Sequence, residues 1–199
     1  SGRGFSRNVS TRPSDAVRTS PYRLGSATGV SRIVAFAPVD RWKATRQEIA
    51  DAIMTRGWNE EVGAFTQSFG GDELDASNLT MPIVGFIPAD HPRMRATIDA
   101  TAARLSDERG LVYRYLAADG LEGVEGTFLL CTFWLAQAQA LAGELDRARA
   151  TFEAAAGFVN DVGLLSEEVD DGTRELLGNF PQAFSHIGLV NAAWAIAEA

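Results

Sequence analysis

The most uniformly apolar segment of the chain reads Phe128-Leu129-Leu130-Cys131-Thr132-Phe133-Trp134-Leu135. A helix with this sequence has apolar side chains on nearly every side, so it must be buried on most of them. We therefore assign Cys131 and Trp134 to the core. The helix ends at Gly143, and the next helix begins at once with one apolar face and one charged face. A helix buried on two sides beside a helix buried on one side predicts two layers of helices.

Helical spacing recurs elsewhere in the chain, and the loops between the helices differ in length. Further helices are predicted from Asp40 to Gly57, after Asp75, after Pro181, and at Pro92, where the preceding Asp90 marks the start. Residues 57–71 predict a small β-hairpin. The fold class is therefore all-α, with about six helices paired as part of an α/α toroid and a β-hairpin excursion. The long loops 57–74, 107–124 and 161–179 then gather on one rim.

Composition narrows the class of protein. A length of 199 residues with 46% apolar content fits one domain with a sizeable core. The single cysteine, Cys131, excludes a disulfide framework and a cysteine-based zinc site. No cluster predicts a metal site, so we expect neither metal nor cofactor. No run approaches the roughly 18 apolar residues of a membrane span, and no signal-like segment opens the chain. These features predict a cytoplasmic protein without membrane association.

The charge is distributed unevenly along the chain. Residues 1–36 hold six of the 18 basic residues and one of the 26 acidic ones, which leaves 12 basic and 25 acidic residues, a net charge of −13, for residues 37–199. A body this acidic repels phosphate, so no nucleic-acid partner is expected, while neutral ligands such as sugars remain open. We interpret residues 1–36 as an atypical leader, disordered or non-native. The alternative is a basic arm that grips an anion.

The candidate catalytic residues lie in one acidic segment. Residues 163–170 contain the adjacent carboxylates Glu167 and Glu168, and the uncharged polar run of residues 178–186 follows before the last helix. Set between two apolar helices, these carboxylates are predicted at the rim of a helical body. The alternative for the pair is a solvated acidic loop.

Six motifs occur in series over roughly residues 40–199. They are Arg41-Trp42, Leu74-Asp75-Ala76-Ser77, Tyr113-Arg114-Tyr115, Glu125-Gly126-Thr127-Phe128 with Cys131 to Trp134, Gly163 to Glu168, and Gly178 to His186. In this order and at these intervals the chain resembles the C-terminal part of glycoside hydrolase family 15, the glucoamylase and bacterial trehalase family. The resemblance is greater to the bacterial trehalase-like branch than to the fungal glucoamylases.

The resemblance implies an (α/α)6 barrel that hydrolyses α-glucosidic bonds with inversion of configuration. Residues 37–199 would be the C-terminal half of this toroid. In such a mechanism one carboxylic acid protonates the departing oxygen, and a second carboxylate, roughly 6.5–9.5 Å away, takes a proton from the attacking water. The implied substrate is a small α-glucoside, either trehalose or a malto-oligosaccharide.

Site residues follow from the same resemblance. Glu167 falls on the general base, Arg114 on an arginine that contacts the sugar, and Glu125 on a further sugar-contacting position. For Arg114 the alternative is a salt bridge to Glu122 or Glu125. His186 is a candidate substrate contact, with a supporting hydrogen bond as its alternative.

Two further expectations concern the neighbours of these residues. Asp75 is likewise either a substrate contact or a helix cap. If the fold brings them close, Ser166, Ser185 and His186 have the chemistry to donate to the Glu167 carboxylate.

One departure from the family pattern changes the expected function. The family's general acid lies in an upstream Trp-Glu motif, and these 199 residues contain no such pair. We therefore expect a fragment that carries the general base and lacks the general acid. The alternative is a catalytically inactive helical remnant or interaction module. Either way, half a toroid would leave apolar surface on its inner helices, which predicts self-association.

Overall fold

The computed structural model describes residues 38–117 and 125–199. By its internal contacts the chain divides into two compact units, Ser1–Trp42 and Lys43–Ala199. The leader predicted at residues 1–36 and the candidate ion-pair partner Glu122 lie outside the described residues.

Six α-helices occur in the described residues, in agreement with the sequence. They are α1 (Val39–Ala52), α2 (Thr80–Ile83), α3 (Pro92–Arg104), α4 (Leu129–Leu141), α5 (Leu145–Ala156) and α6 (Ala183–Glu198). A π-helical turn, Ile53–Gly57, extends α1, and a 3-10 turn, Ala76–Leu79, precedes α2. None of these helices has the length and apolar content of a membrane span.

The apolar helix α4 lies at the centre of the packing. It contacts α2, α3, α5 and α6, and nine of its 13 residues are buried. Cys131 is fully buried, as expected, and Trp134 packs against the core. Burial raises the pKa of the Cys131 thiol because the thiolate would lose its hydration.

The second apolar helix, α6, approaches α4 closely at a glycine. A Cβ atom placed on Gly188 would lie 3.0 Å from Leu130 Cδ1 and 3.1 Å from Phe133 Cβ. A larger residue here would have to displace the Leu130 and Phe133 side chains. On the other side of α6, large apolar side chains are exposed. They are Phe184, Ile187, Val190 and Trp194, with exposed fractions of 61%, 53%, 61% and 68%.

The charged helix α5 packs outside α4, as its single apolar face predicts. It begins right after Gly143, whose φ of +81° reverses the chain in the conformation that glycine adopts most easily. Arg147 of α5 bonds to Asp99 of α3 at 2.7 Å and to Glu144 at 2.6 Å. The Arg147–Asp99 pair joins the two outer helices at the surface, where such a pair contributes little free energy, while Glu144 lies at the start of α5 itself.

Two small sheets complete the fold. The predicted hairpin consists of β1 (Trp58–Asn59) and β2 (Ala64–Phe65), paired antiparallel. A second sheet of β3 (Thr127–Phe128), β4 (Glu168–Val169) and β5 (Leu176–Leu177), in the order β3-β4-β5, was not predicted. Strands of two residues are too short to show an alternating pattern, so periodicity could not have found them.

One predicted helix start is displaced by a residue. The expected start marker was Asp90, but His91 is the capping residue, because its Nδ1 accepts the Arg93 amide proton at 3.2 Å. Pro92 then occupies the first helical position, where its missing N–H leaves no hydrogen bond unmade.

Candidate active site

Backbone hydrogen bonds join the segments that precede α2, α4 and α6. The Ala76 N–H donates to Arg114 O at 2.9 Å, the Leu129 N–H donates to Glu167 O at 3.1 Å, and the Glu167 N–H donates to Asn179 O at 3.0 Å. The amino-terminal ends of these three helices therefore lie side by side, and we call them the rim. The candidate residues Asp75, Arg114, Glu125 and Glu167 all belong to it.

The Glu167 carboxylate is held by one neighbouring residue. Its Oε2 accepts the Asn179 backbone N–H at 3.0 Å and the Asn179 Nδ2–H at 2.8 Å. Glu167 is partly buried, and its Oε1 has no hydrogen-bond partner among the described residues. One oxygen is thus fixed, and the other is available to a proton donor such as water.

Gly178 lies directly against the same carboxylate. A Cβ atom at this position would be 2.8 Å from Glu167 Oε2 and 2.9 Å from Glu167 Cβ, and the φ of Gly178 is +71°. Both the contact and the backbone conformation therefore require glycine. Sequence reasoning did not assign a role to Gly178 or Asn179. The signal available was the Gly-Asn pair itself, which is typical of a tight turn.

The donors expected for Glu167 bond elsewhere. Ser166 Oγ–H donates to Glu168 O at 2.7 Å, and Ser185 Oγ–H donates to Ser166 O at 2.7 Å. His186 accepts the Leu165 N–H at Nε2 (3.3 Å), and its Nδ1 lies 2.7 Å from Gln182 O. The condition set for these three residues is therefore not met, because all three bond to backbone groups instead of the carboxylate. Such bonds fit the supporting role that was the alternative for His186.

The second carboxylate, Glu168, has different surroundings. It lies in β4, is partly buried, and accepts the Gly126 N–H at 3.3 Å. Burial raises the pKa of Glu168 above its ordinary value, and the negative charges of Glu125 and Glu167 add to this effect. The Gly126 hydrogen bond and the Arg114 charge oppose it without cancelling it.

Arg114 is exposed at the rim and stacks on its neighbour. Its guanidinium lies 4.5 Å from the centre of the Tyr115 ring and donates to the Tyr115 hydroxyl. Partial burial lowers the pKa of Arg114, but Tyr115, Glu125 and Asp75 together raise it above its usual value. Within residues 38–117 and 125–199, no carboxylate lies within 4.0 Å of the guanidinium. The salt bridge to Glu125 weighed as an alternative is therefore not formed.

The remaining rim acids occupy the positions expected from their segments. Glu125 is exposed two residues before β3, at the entrance to α4. Asp75 caps the 3-10 turn, because its Oδ1 accepts the Ser77 N–H at 2.7 Å, and its Oδ2 accepts from Gln67 at 3.3 Å. The helix-cap alternative for Asp75 is thus confirmed. Among the described residues, no group of three or more potential metal ligands occurs.

Comparisons with known proteins agree with this architecture. Residues 23–194 match glycosyl hydrolases family 15. The chain is 41% identical over 163 residues to a trehalase of Thermoplasma acidophilum and 44% identical over 155 residues to a trehalase of Mycolicibacterium smegmatis. These alignments cover 82% and 76% of this chain, but 28% and 23% of the two trehalases. The chain therefore spans about a quarter of the length of these relatives.

Solved structures share the fold. A wild-type glycosidase superposes with a TM-score of 0.70 at 21% identity, over 82% of this chain and 46% of the glycosidase. A variant glycosidase in complex with glucose superposes with a TM-score of 0.68 over 85% of this chain and 48% of its own. At this identity the likeness concerns the fold, and it agrees with a partial (α/α)6 toroid. The family match and the trehalase alignments together show that the chain belongs to glycosyl hydrolases family 15.

Proposed function

We propose that this chain carries the general-base side of an inverting α-glucoside hydrolase, with Glu167 as the base. The observation that supports this role most directly is the Glu167 carboxylate itself, with Oε2 held by Asn179 and Oε1 unpartnered among the described residues. A base must lie within about 2.6–3.2 Å of the proton it abstracts. A water on the rim side of Oε1 would meet that condition.

In the proposed reaction, Glu167 takes a proton from a water molecule as that water attacks the anomeric carbon. The glycosidic oxygen leaves from the opposite face of the sugar with a proton from a general acid, and the product has the inverted configuration. Arg114 would donate to sugar hydroxyls, since a guanidinium offers five N–H donors in a planar fork. Glu125, exposed beside it, would accept from a hydroxyl. For His186 we propose a supporting role through its bonds to residues 165 and 182.

Trehalose is the substrate that the relatives favour, and malto-oligosaccharides are the second candidate. Both aligned relatives are trehalases. The substrate's neutral hydroxyls suit a rim where carboxylates and one arginine lie together, and the net charge of −13 over residues 37–199 disfavours anionic ligands. Location in the cytoplasm remains a prediction, which cell fractionation would test. The interpretation of residues 1–36 as a leader also remains a prediction, and the family match begins within that segment, at residue 23.

The proposed mechanism also needs a general acid, and the family's motif for it is not found in this sequence. Since no Trp-Glu pair occurs in the 199 residues, turnover should depend on whether the leaving group needs a proton. Trehalose has a poor leaving group, whereas the fluoride of α-glucosyl fluoride departs without protonation. We expect the chain to hydrolyse α-glucosyl fluoride, with β-glucose as the first product in NMR spectra, and to release little glucose from trehalose.

The role of Glu167 is tested by Glu167→Gln with α-glucosyl fluoride as substrate. The substitution keeps the size of the side chain and removes the base, so turnover should fall by at least about 100-fold. The matched control is Glu175→Gln, which changes an exposed glutamate in the turn before β5. Retained turnover in Glu167→Gln would remove Glu167 as the base.

The second candidate function is an inactive helical remnant or interaction module. It is favoured by the exposed apolar side chains of α6. Absence of turnover on both α-glucosyl fluoride and trehalose would support this alternative.

A further inference from the structure

Asn179 makes three hydrogen bonds with a single residue, Glu167. Its backbone N–H and its Nδ2–H both donate to Oε2, and its carbonyl accepts the Glu167 N–H at 3.0 Å. We propose that Asn179 is the positioning residue that holds the Glu167 carboxylate in the orientation in which its unpartnered oxygen faces the attacking water. The proposal rests on the role of Glu167 as the base.

The Glu167 carboxylate can rotate about its terminal torsion. This torsion has a broad preference in glutamate, so the plane of the carboxylate turns easily unless hydrogen bonds hold it. Two donors act on Oε2 and none on Oε1 among the described residues. Turning the plane away would break both bonds, so Oε1 keeps one direction and stays free for the proton of water.

The backbone at Gly178 lies against the other side of the carboxylate. Gly178 leaves no room there, since even a Cβ atom would be 2.8 Å from Oε2. The backbone of residue 178 and the donors of residue 179 therefore confine the same oxygen. A carboxylate held in this way is preorganised before substrate binds, which is where an enzyme gains rate over a mobile group.

An amide side chain suits position 179 because it carries no charge. Asparagine supplies a side-chain donor without a charge, whereas an aspartate here would place a second negative charge against Glu167. Alanine would keep the backbone donor and lose the 2.8 Å Nδ2 bond. Asn179→Ala therefore removes one of the two donors to Oε2. Asn179→Asp removes the same donor and adds a negative charge that repels the carboxylate.

Kinetics on α-glucosyl fluoride provide the first test. Displacement of a catalytic group by about 1 Å can cost on the order of 100-fold in rate. We expect Asn179→Ala to lower kcat by about 10- to 100-fold with KM changed less than about twofold, and Asn179→Asp to lower kcat further. The control is Asn160→Ala, because Asn160 also bonds backbone amides, at Val162 and Leu164, in a loop away from the carboxylate.

NMR provides a second test that needs no activity. In ¹H–¹⁵N spectra, the Asn179 side-chain and backbone amide protons should shift upfield and exchange faster with solvent in Glu167→Gln than in the wild-type chain, because the charged acceptor is gone. The Asn160 amide signals should stay in place. Unchanged Asn179 signals would overturn the proposal even where no turnover is measurable.

The outcomes separate this proposal from the proposed function. Turnover that survives Glu167→Gln refutes the base itself. Loss of turnover in Glu167→Gln, with Asn179→Ala no worse than Asn160→Ala, refutes only the positioning role. A fall in kcat for Asn179→Ala beyond that control, with KM preserved and the NMR shifts present, supports it.

Discussion

At the scale of single residues, two adjacent glutamates have separate environments. The Glu167 carboxylate is bonded by Asn179 at one oxygen, while the Glu168 carboxylate is partly buried in β4 and accepts only the Gly126 N–H among the described residues. Glu168 begins β4, and Glu167 lies in the bend just before it, so one step along the chain gives the carboxylate different partners. The role proposed for Glu167 therefore does not extend to Glu168.

Glu168 should make the stability of the chain depend on pH. When the chain is folded, the pKa of Glu168 is raised above its ordinary value of 4.5. At a pH between the ordinary and the raised pKa, the folded state therefore binds more protons than the unfolded state. The free energy of unfolding then falls as pH rises through this interval. In Glu168→Gln this loss is absent. Urea titrations from acid to neutral pH should show the variant gaining stability over the wild type as pH rises, with a constant difference above the interval. A difference that does not change with pH would contradict the prediction.

Gly178→Ala should separate backbone strain from displacement of the Glu167 carboxylate. A non-glycine residue at positive φ costs on the order of 1–3 kcal/mol. Gly163 has a φ of +83° and no atom within 4 Å of the place where a Cβ would lie, whereas Gly178 has a φ of +71° and close contacts with Glu167. We expect both alanine variants to lose stability in thermal melts. Turnover of α-glucosyl fluoride should fall further in Gly178→Ala than in Gly163→Ala. Equal turnover in both variants would show that the Glu167 contact does not matter.

Sequence patterns identified residues at this scale only in part. Glu167 was singled out because its motif resembles a family motif, and Asp75 was assigned a cap as one of two alternatives. Asn179 was missed because its bonds depend on the pairing of residues 167 and 179, which brings together positions 12 apart in the chain. No local pattern contains that pairing.

At the scale of elements, the approach of α6 to α4 depends on Gly188. A valine there would push its Cβ to within 3.0–3.1 Å of Leu130 and Phe133 and add two methyl groups beyond it. Overpacking of this kind costs typically about 1–3 kcal/mol. Gly188→Val should therefore lower the midpoint of urea unfolding. The control Ala197→Val adds the same branch at an exposed position of α6, and equal midpoints in the two variants would contradict the close packing.

The elements themselves show which structures a sequence can predict. Five of the six helices were found because runs of 12 to 16 residues, such as α5 and α6, display their apolar period several times. The sixth, α2, has four residues and was predicted from the start signal at Asp75. The β3-β4-β5 sheet has two-residue strands from segments 40 residues apart, so neither periodicity nor turn chemistry indicates it. The sheet nevertheless positions Glu167 and Glu168, and the site was for that reason less predictable than the fold.

At the scale of the whole molecule, the exposed apolar stripe of α6 should cause self-association. Phe184, Ile187, Val190 and Trp194 are each more than half exposed, and contiguous apolar surface drives association between copies. Sedimentation of the wild-type chain should show species larger than a monomer. Val190→Glu combined with Trp194→Glu should shift the distribution toward monomer, whereas Val162→Glu, an exposed valine in a loop, should leave it unchanged. A monodisperse wild-type monomer with a cooperative melt would contradict this.

The central hypothesis concerns half of a catalytic pair, and one comparison of substrates tests it most directly. The rates of glucose release from α-glucosyl fluoride and from trehalose are to be measured with the 199-residue chain. A chain with the base Glu167 and no general acid should hydrolyse the fluoride in a Glu167-dependent reaction and leave trehalose almost untouched. Robust release of glucose from trehalose by this chain alone would contradict the hypothesis.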